Sequence, residues 1–467
     1  MKVLLLRPYA KNRGISKVMP LGLLAVGSVL KRAGHVVQIL DLRLSQYPEM
    51  ELKNTLHEFN PDMVGIGLMT VESDFAFDLA KQVKAVKKDV PVLFGGPHCA
   101  HDPKYVLHDP NVDMMVIGEG ELTIIELLEV LEKKQDLGAV KGIAFKRNGE
   151  YIKTLPREKI LELDWLTQEY DLLDVTRYFN FDCSHEYLPA SRRFMPLTTS
   201  RGCPFTCIYC HDIFGKDIRY VSAETMLKEM KFLQDTYGVS EFHILDDSFN
   251  IDMKRAKKIF DLIVERGMNV KISFPNGVRA DYIDEEMVEK MRAAGVYRVA
   301  LGIESGSLRI QKMISKSLDI KILKEVVSKL TQAGISVNGF FMLGFPGETR
   351  DEMEQTVRFA CELDLSTALF SLVIPNPGTE LRELVMEEGK DADFSQYSIN
   401  AINSNASKVC SEDLVAIQKE AYRRFYFSPR RAWHIFKTTH SKLLLAVKFL
   451  SLLKLTGAWS NRLSYQS

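Results

Sequence analysis

Residues Phe194–His211 read FMPLTTSRGCPFTCIYCH. The apolar start has the pattern of a buried strand. It breaks into a loop that carries three cysteines, Cys203, Cys207 and Cys210, spaced C-x3-C-x2-C. Gly202 and Pro204 shape the turn. The group such a loop can hold, and the pattern of the chain on either side of it, decide the fold.

A disulfide between any two of these thiols would strand the third. Structural zinc takes four ligands, usually as paired Cys/His knuckles. A fourth here would be Cys183, His185 or His211, and none completes a familiar spacing. A cubane [4Fe–4S] cluster normally takes four thiolates. Three leave one iron open to an external ligand, which is a catalytic position by the logic that separates open from closed metal sites.

Working outward, strand and helix patterns alternate from Arg193 to about Pro377. Candidate strands are FMPLTTS, EFHILDD, VKISFPN, YRVALGIES, ISVNGFFMLG and TALFSLVIPN, separated by helical stretches such as DMKRAKKIFDLIVERG and ILKEVVSKLTQAG. That makes about six strand–helix units, short of the eight in a full barrel. Polar or glycine-rich clusters come after the strands: Asp246-Asp247, Asn276, Glu304-Ser305, GFPGE and NPGTE. In a βα barrel those loops converge on one mouth, and the cysteine loop, which comes after the first strand, is expected there too.

Upstream, KVLLL, VVQIL, MVGIGLM, PVLFGG and DMMVIG read as buried strands, with amphipathic stretches between them. Such alternation specifies a parallel sheet covered on both faces. Gly95, Gly96, Gly118 and Gly120 gather at the C-terminal ends of the later strands, the edge at which open α/β sheets bind ligands. Each glycine alone also fits a tight turn. No G-x-G-x-x-G stands after the first strand, which speaks against a nicotinamide dinucleotide. Asp41 after the second strand could mimic a ribose-binding acid, though alone it means little. GIAFKRNGEYIKT has the pattern of a hairpin around Asn148-Gly149, and it opens a connector. The expected divisions are 1–138, a connector at 139–190, a barrel at 191–393 and a helical region at 394–467.

The chain has 467 residues, 46% of them hydrophobic, and Lys+Arg and Asp+Glu both total 61. That balance argues against a broad nucleic-acid surface. The start, MKVLLLRPYA, has too short an apolar run to be expected to act as a signal peptide. No stretch of about 18 uncharged apolar residues is present. The seven cysteines are an odd count, and outside the loop they are scattered. A reducing, cytoplasmic setting is therefore expected. The apolar segment 441–455, with Lys442, Lys448 and Lys454 interspersed, reads as a core or interface helix. Its sharper alternative is a peripheral membrane contact.

CPFTCIYC resembles the C-x3-C-x-aromatic-C signature of the radical S-adenosylmethionine (SAM) superfamily. The resemblance implies that Cys203, Cys207 and Cys210 hold a [4Fe–4S] cluster whose open iron binds SAM. One electron then yields methionine and a 5′-deoxyadenosyl radical that abstracts hydrogen from an unactivated carbon. It places Tyr209 near the adenine. LDDSFN stands where the family has its motif for the methionine amino group, so Asp246 and Asp247 are candidates. Asp-Asp-Ser replaces the usual Gly-Gly-Glu, which leaves open which acid makes the contact. Asn276 and Arg279 are candidates for the ribose or carboxylate, with Glu304 and Ser305 beside them. GFFMLGFPGET resembles the family's G-x-I-x-G strand, whose backbone approaches the adenine near Met342 and Gly344. Each of these side chains equally fits a rim hydrogen bond or salt bridge.

MPLGLLAVGSVLKRAGHVVQILD, GGPH and IGEGE are similar to the cobalamin-binding domain of cobalamin-dependent radical SAM enzymes. The implied fold is a Rossmann-like (flavodoxin-like) domain, then a partial (β/α)6 TIM barrel and a helical tail. Thr70, Gly95, Gly96, Pro97, His98, Gly118, Glu119 and Gly120 are the candidate cobalamin contacts. The loop RPYAKNRG holds no histidine, so a histidine is not expected as the lower ligand of cobalt. By resemblance methylcobalamin would methylate a substrate radical and a second SAM would restore it. The same architecture also occurs in a ring-forming cyclase of porphyrin metabolism. Other readings are a first domain that binds substrate rather than cobalamin, a cluster-based sensor, and a tRNA methylthiotransferase. The last usually carries extra cluster cysteines in its first domain, where this chain has only Cys99. The expected partners are a small, hydrophobic substrate and an external low-potential electron donor of flavodoxin or ferredoxin type, with no nucleic acid.

Overall fold

The computed structural model describes residues 1–9, 17–101, 103–211, 213–316, 318–389 and 404–439, together with Lys442 and Leu445. The chain packs into two compact units. The first comprises Met1–Cys183, Thr198–Phe232 and Ile374–Ser404; the second comprises Ser184–Leu197, Leu233–Val373 and Asn405–Ser467.

The first unit is built on a seven-stranded sheet: β1 (Lys2–Arg7), β2 (Val36–Asp41), β3 (Met63–Gly67), β4 (Val92–Gly95), β5 (Met114–Val116), β6 (Ile143–Arg147) and β7 (Glu150–Lys153), in the order β2-β1-β3-β4-β5-β6-β7. The first five strands run parallel. All five residues of β3 are buried, as a strand covered on both faces requires. The order 2-1-3-4-5 is flavodoxin-like and carries its ligand edge at the C-terminal ends of the strands. The hairpin at the start of the expected connector extends this sheet: β6 and β7 pair antiparallel beyond β5. Asn148 and Gly149 turn it with φ of +52° and +82°, the left-handed pair of a type I′ turn.

Asp41 is not poised for a ribose. It accepts from Arg43 Nε at 2.8 Å and from Tyr178 OH at 2.9 Å, and it caps the turn Leu42–Leu44. Burial and then the Asp41 charge push the Tyr178 phenol far up.

The second unit holds β8 (Phe194–Leu197). The chain then passes through two short strands of the first unit, β9 (Ser200–Arg201) and β10 (Arg219–Tyr220), before returning to β11 (Glu241–Ile244), β12 (Lys271–Phe274), β13 (Val296–Glu304), β14 (Ser336–Leu343) and β15 (Thr367–Leu372). With β8 these last five form a six-stranded parallel sheet in the order β15-β14-β13-β12-β11-β8, with no pairing of β8 to β15. The six strands are those legible in the sequence, in an open, partial barrel.

At the N-terminal end of this sheet a buried polar network fixes the strands. Glu241 accepts from Tyr297 OH at 2.5 Å and from His243 at 2.8 Å, and Arg298 pairs with Glu186 at 3.2 Å. The edge strand β15 is covered by the helix Ser411–Tyr426. Phe370 N donates to Tyr422 OH at 3.1 Å, Ala368 N donates to Tyr426 OH at 3.1 Å, and Tyr426 OH donates back to Ala368 O at 2.9 Å. Side chains thus satisfy backbone groups that an open edge would expose. Segment 441–455 lies outside the described residues apart from Lys442 and Leu445. Among the described residues no helix is long and apolar enough to cross a membrane.

Candidate functional site

The cysteine loop is held by backbone geometry. Gly202 has φ +97°, and a Cβ there would stand 2.2 Å from the Asp217 carbonyl oxygen. Only glycine serves at such a point. Cys203 N donates to Gly215 O at 3.1 Å, closing the loop, and Cys210 N donates to Cys207 O at 3.1 Å. Ile208 is buried between the cysteines and its carbonyl accepts from Leu381 N at 2.9 Å. Cys203, Cys207 and Tyr209 are half-buried and Cys210 is exposed, whereas Cys99 and Cys183 are buried. Burial pushes the Cys99 thiol far up, which makes it inert. Among the described residues no three Cys, His, Asp or Glu side chains gather as they would around a single ion. A cube offers each thiolate its own iron, so its ligands need not converge on one point.

The base of the loop carries side chains that the sequence motifs do not mark. β9 and β10 pair antiparallel with Arg201 opposite Arg219. Arg219 binds Glu119 at 2.7 Å, and Arg201 binds Glu121 directly and Glu119 at 3.4 Å. Arg219 also donates to Ile160 O at 2.7 Å and Phe214 O at 3.1 Å. All four ionic side chains are largely buried. Burial opposes the Arg201 charge, but Glu121 and Glu119 outweigh it and hold the guanidinium pKa above its ordinary value.

The glycine edge of the first sheet lies in the same unit. Gly96 has φ +123° and a Cβ there would stand 2.6 Å from Leu68 O. Pro97 opens the next short helix, and buried His98 lies 3.2 Å from Thr70 Oγ1 through Nδ1. Gly118 has φ +86° with open space where a Cβ would stand, and Gly120 begins the helix Gly120–Glu132. The side chain of Glu119 is engaged by Arg219, Arg201 and Ile160 N. It offers a ligand its backbone rather than a free carboxylate.

In the second unit the predicted residues stand at the C-terminal ends of successive strands. After β11, Asp246 is buried and Asp247 reaches the surface. Partial desolvation at its place in the loop, and then the charge of neighbouring Asp246, raise the Asp247 carboxyl. Asn276 donates to Leu245 O at 2.7 Å, tying the loop after β12 to that after β11. Arg279 donates to Lys316 O at 3.2 Å and pairs with Asp281. Glu304 ends β13 at φ +65°, beside a bulge, and binds Lys316 at 3.1 Å. Lys316 is a further residue that no sequence motif marks. The Ser305 hydroxyl lies 3.0 Å from Thr356 Oγ1. Met342 is half-buried near the end of β14. Gly344 comes next but one at φ +101°, and its N–H donates to Glu348 Oε2 at 2.7 Å.

The model of the radical SAM superfamily matches residues 197–360 and that of the B12 binding domain residues 16–128. The chain is 32% identical over 441 residues to the uncharacterized methyltransferase PH0819 of Pyrococcus horikoshii, covering 92% of this chain and 93% of that one. The chain belongs to the cobalamin-binding radical SAM enzymes. A cytidylyl-2-hydroxyethylphosphonate methyltransferase of Streptomyces wedmorensis is 29% identical over 449 residues, 85% of this chain and 84% of that one. An anaerobic magnesium-protoporphyrin IX monomethyl ester cyclase of Cereibacter sphaeroides is 25% identical over 405 residues, 85% and 65% of the two chains. Among solved structures, the radical SAM methyltransferase TsrM of Kitasatospora setae, with cobalamin and a [4Fe–4S] cluster bound, has the same fold: TM-score 0.71 at 19% identity over 91% of this chain and 81% of that one.

The cofactors of this cobalamin-binding radical SAM enzyme are therefore a [4Fe–4S] cluster, SAM and cobalamin. The donor set fits the cluster, because the clustered thiols are accessible while Cys99 and Cys183 are buried. The glycine edge fits a broad ligand, since nothing stands where a Gly118 side chain would be.

Proposed function

We propose that the enzyme methylates an unactivated carbon of a small, hydrophobic metabolite. The observation that carries this reading is the packing of an accessible three-thiol loop and a glycine-lined α/β edge into one compact unit. The methyltransferase relatives support it. Bound together, cluster, SAM and cobalamin supply a carbon-centred radical and a transferable methyl group. The residues of the chain bind and orient them. Cys203, Cys207 and Cys210 hold the cluster through thiolates. Asp246, Asp247, Asn276, Arg279 and Glu304 bind SAM, with Lys316 holding Glu304 in place. The backbone at Met342 and Gly344 and the ring of Tyr209 face its adenine. Thr70, Pro97, His98 and the backbone of Gly95, Gly96, Gly118, Glu119 and Gly120 bind cobalamin. An external flavodoxin- or ferredoxin-type protein supplies the electron.

The test is incubation of candidate substrates with SAM deuterated in its methyl group. A product heavier by one labelled methyl is expected. An unlabelled, ring-closed product would replace methylation by cyclisation, the second reading, which the cyclase relative supports. Phe427, Trp433 and Phe436 are 87%, 67% and 47% exposed beside the C-terminal apolar segment, which favours a peripheral membrane contact there. Co-sedimentation with anionic vesicles tests it, and a chain left wholly in the supernatant would contradict it.

A further inference from the structure

The loop that carries the three thiols stands on a buried ionic base. Arg201 lies two residues before Cys203, and Arg219 closes the loop on the opposite strand. Arg201 is anchored to Glu119 and Glu121, which flank Gly120 at the glycine edge, and Arg219 to Glu119. The anchorage has little slack. Glu119 also accepts from Ile160 N at 2.8 Å, and Arg219 donates to the carbonyl of the same residue at 2.7 Å. The guanidinium of Arg201 stacks over Phe214 at 5.2 Å inside the loop. Gly202 and the Cys203–Gly215 hydrogen bond leave the loop no independent hinge at its start. The Gly118–Gly120 backbone and the base of the thiol loop are thus joined through Arg201 and Arg219.

We propose that this quartet couples the two cofactors: cobalamin at the glycine edge and the cluster in the loop each strengthen the binding of the other. Glu121, Arg201 and Arg219 are positioning residues in this device. Their charges are engaged with one another and with Glu119, and they act through the backbone of the two loops. The inference rests on the assignment of the cluster to the cysteine loop and of cobalamin to the edge. Coupling free energy between two sites is reciprocal, with a typical range of roughly 5–150-fold in affinity.

The test is titration of hydroxocobalamin, monitored by its visible spectrum, into full-length protein with and without the reconstituted cluster. The cluster-loaded protein is expected to bind at least about fivefold more tightly. Glu121→Gln should bring that ratio close to one while iron and cobalamin still load. Arg201→Gln should lower the ratio likewise, whereas a pair that served folding alone would change both affinities together and leave the ratio as it is. Equal affinities in the wild type would overturn the proposal even if no variant folds. An undiminished ratio in Glu121→Gln would overturn the role of the quartet. A chain that loads iron but takes up no cobalamin at all would overturn the cofactor assignment together with the coupling, an outcome distinct from independent binding of both.

Discussion

Cys203, Cys207 and Cys210 differ from buried Cys99 in chemistry as well as spacing. They sit on a glycine-pinned loop with accessible sulfurs, while Cys99 is sealed in a core that keeps its thiol protonated. Replacing any one of the three with Ala is expected to reduce 5′-deoxyadenosine formation under strong reductant to background while the fold is retained. Cys99→Ala should leave it intact. Chromatography of the reaction and far-ultraviolet circular dichroism check both, and a loop variant that cleaves SAM at the normal rate would contradict the cluster assignment. Glu348 makes a second prediction at this scale. It is 0% exposed, and its Oε2 accepts from Gly344 N and Phe345 N at 2.7 and 3.0 Å. Burial outweighs those two hydrogen bonds and pushes its pKa up from 4.5 to about 7. The folded state therefore holds a proton that the unfolded chain has released. Stability falls as pH rises from the ordinary carboxylate range through about 7, by at most about 3.5 kcal/mol at ~1.4 kcal/mol per pKa unit. Glu348→Gln should flatten this dependence, raising the thermal midpoint relative to wild type more at pH 8 than at pH 5.5. An equal change at both would contradict it.

Among the elements, edge strand β15 depends on the helix Ser411–Tyr426 for its backbone partners. Removing the Tyr426 hydroxyl leaves Ala368 N and O unmatched, and removing that of Tyr422 does the same at Phe370 N. Each Tyr→Phe change should cost about 1–3 kcal/mol, the penalty of a buried group left without its hydrogen bond. Faster hydrogen exchange confined to Thr367–Leu372 is the signature to seek; unchanged protection would show that the helix does not serve as the cover. The strands of both sheets were legible in the sequence because parallel strands covered on both faces read as apolar runs. Asn148-Gly149 announced its turn for a local reason, the need for positive φ. The partners of Arg201 and Arg219 were not legible. They lie 80 and 100 positions away, and no periodicity links residues so distant. The only local hint was a pair of glutamates around Gly120 and an arginine at each end of the cysteine loop. Glu348 and Lys316 stayed hidden for a related reason: a lone charge in a strand-end loop reads as solvent-exposed until the fold buries it.

For the whole molecule, the cysteine loop belongs to the compact unit of the first sheet, although the chain enters it straight from β8. The radical SAM model, matching residues 197–360, takes in this loop together with barrel strands, as the strand order along the chain leads one to expect. Anaerobically reconstituted protein is accordingly expected to carry about one cobalt and four iron per chain, a composition set by the cofactor identities. Elemental analysis checks this, and iron without cobalt would remove cobalamin from the enzyme. The most direct test that cluster, SAM and cobalamin act together combines the reconstituted enzyme, hydroxocobalamin, strong reductant and SAM deuterated in its methyl group, with mass spectrometry of the corrinoid and of the nucleosides. Labelled methyl on the corrinoid together with 5′-deoxyadenosine is expected in the wild type, and in Cys203→Ala 5′-deoxyadenosine falls to background. A corrinoid that never acquires the label in the wild-type enzyme would contradict the assignment.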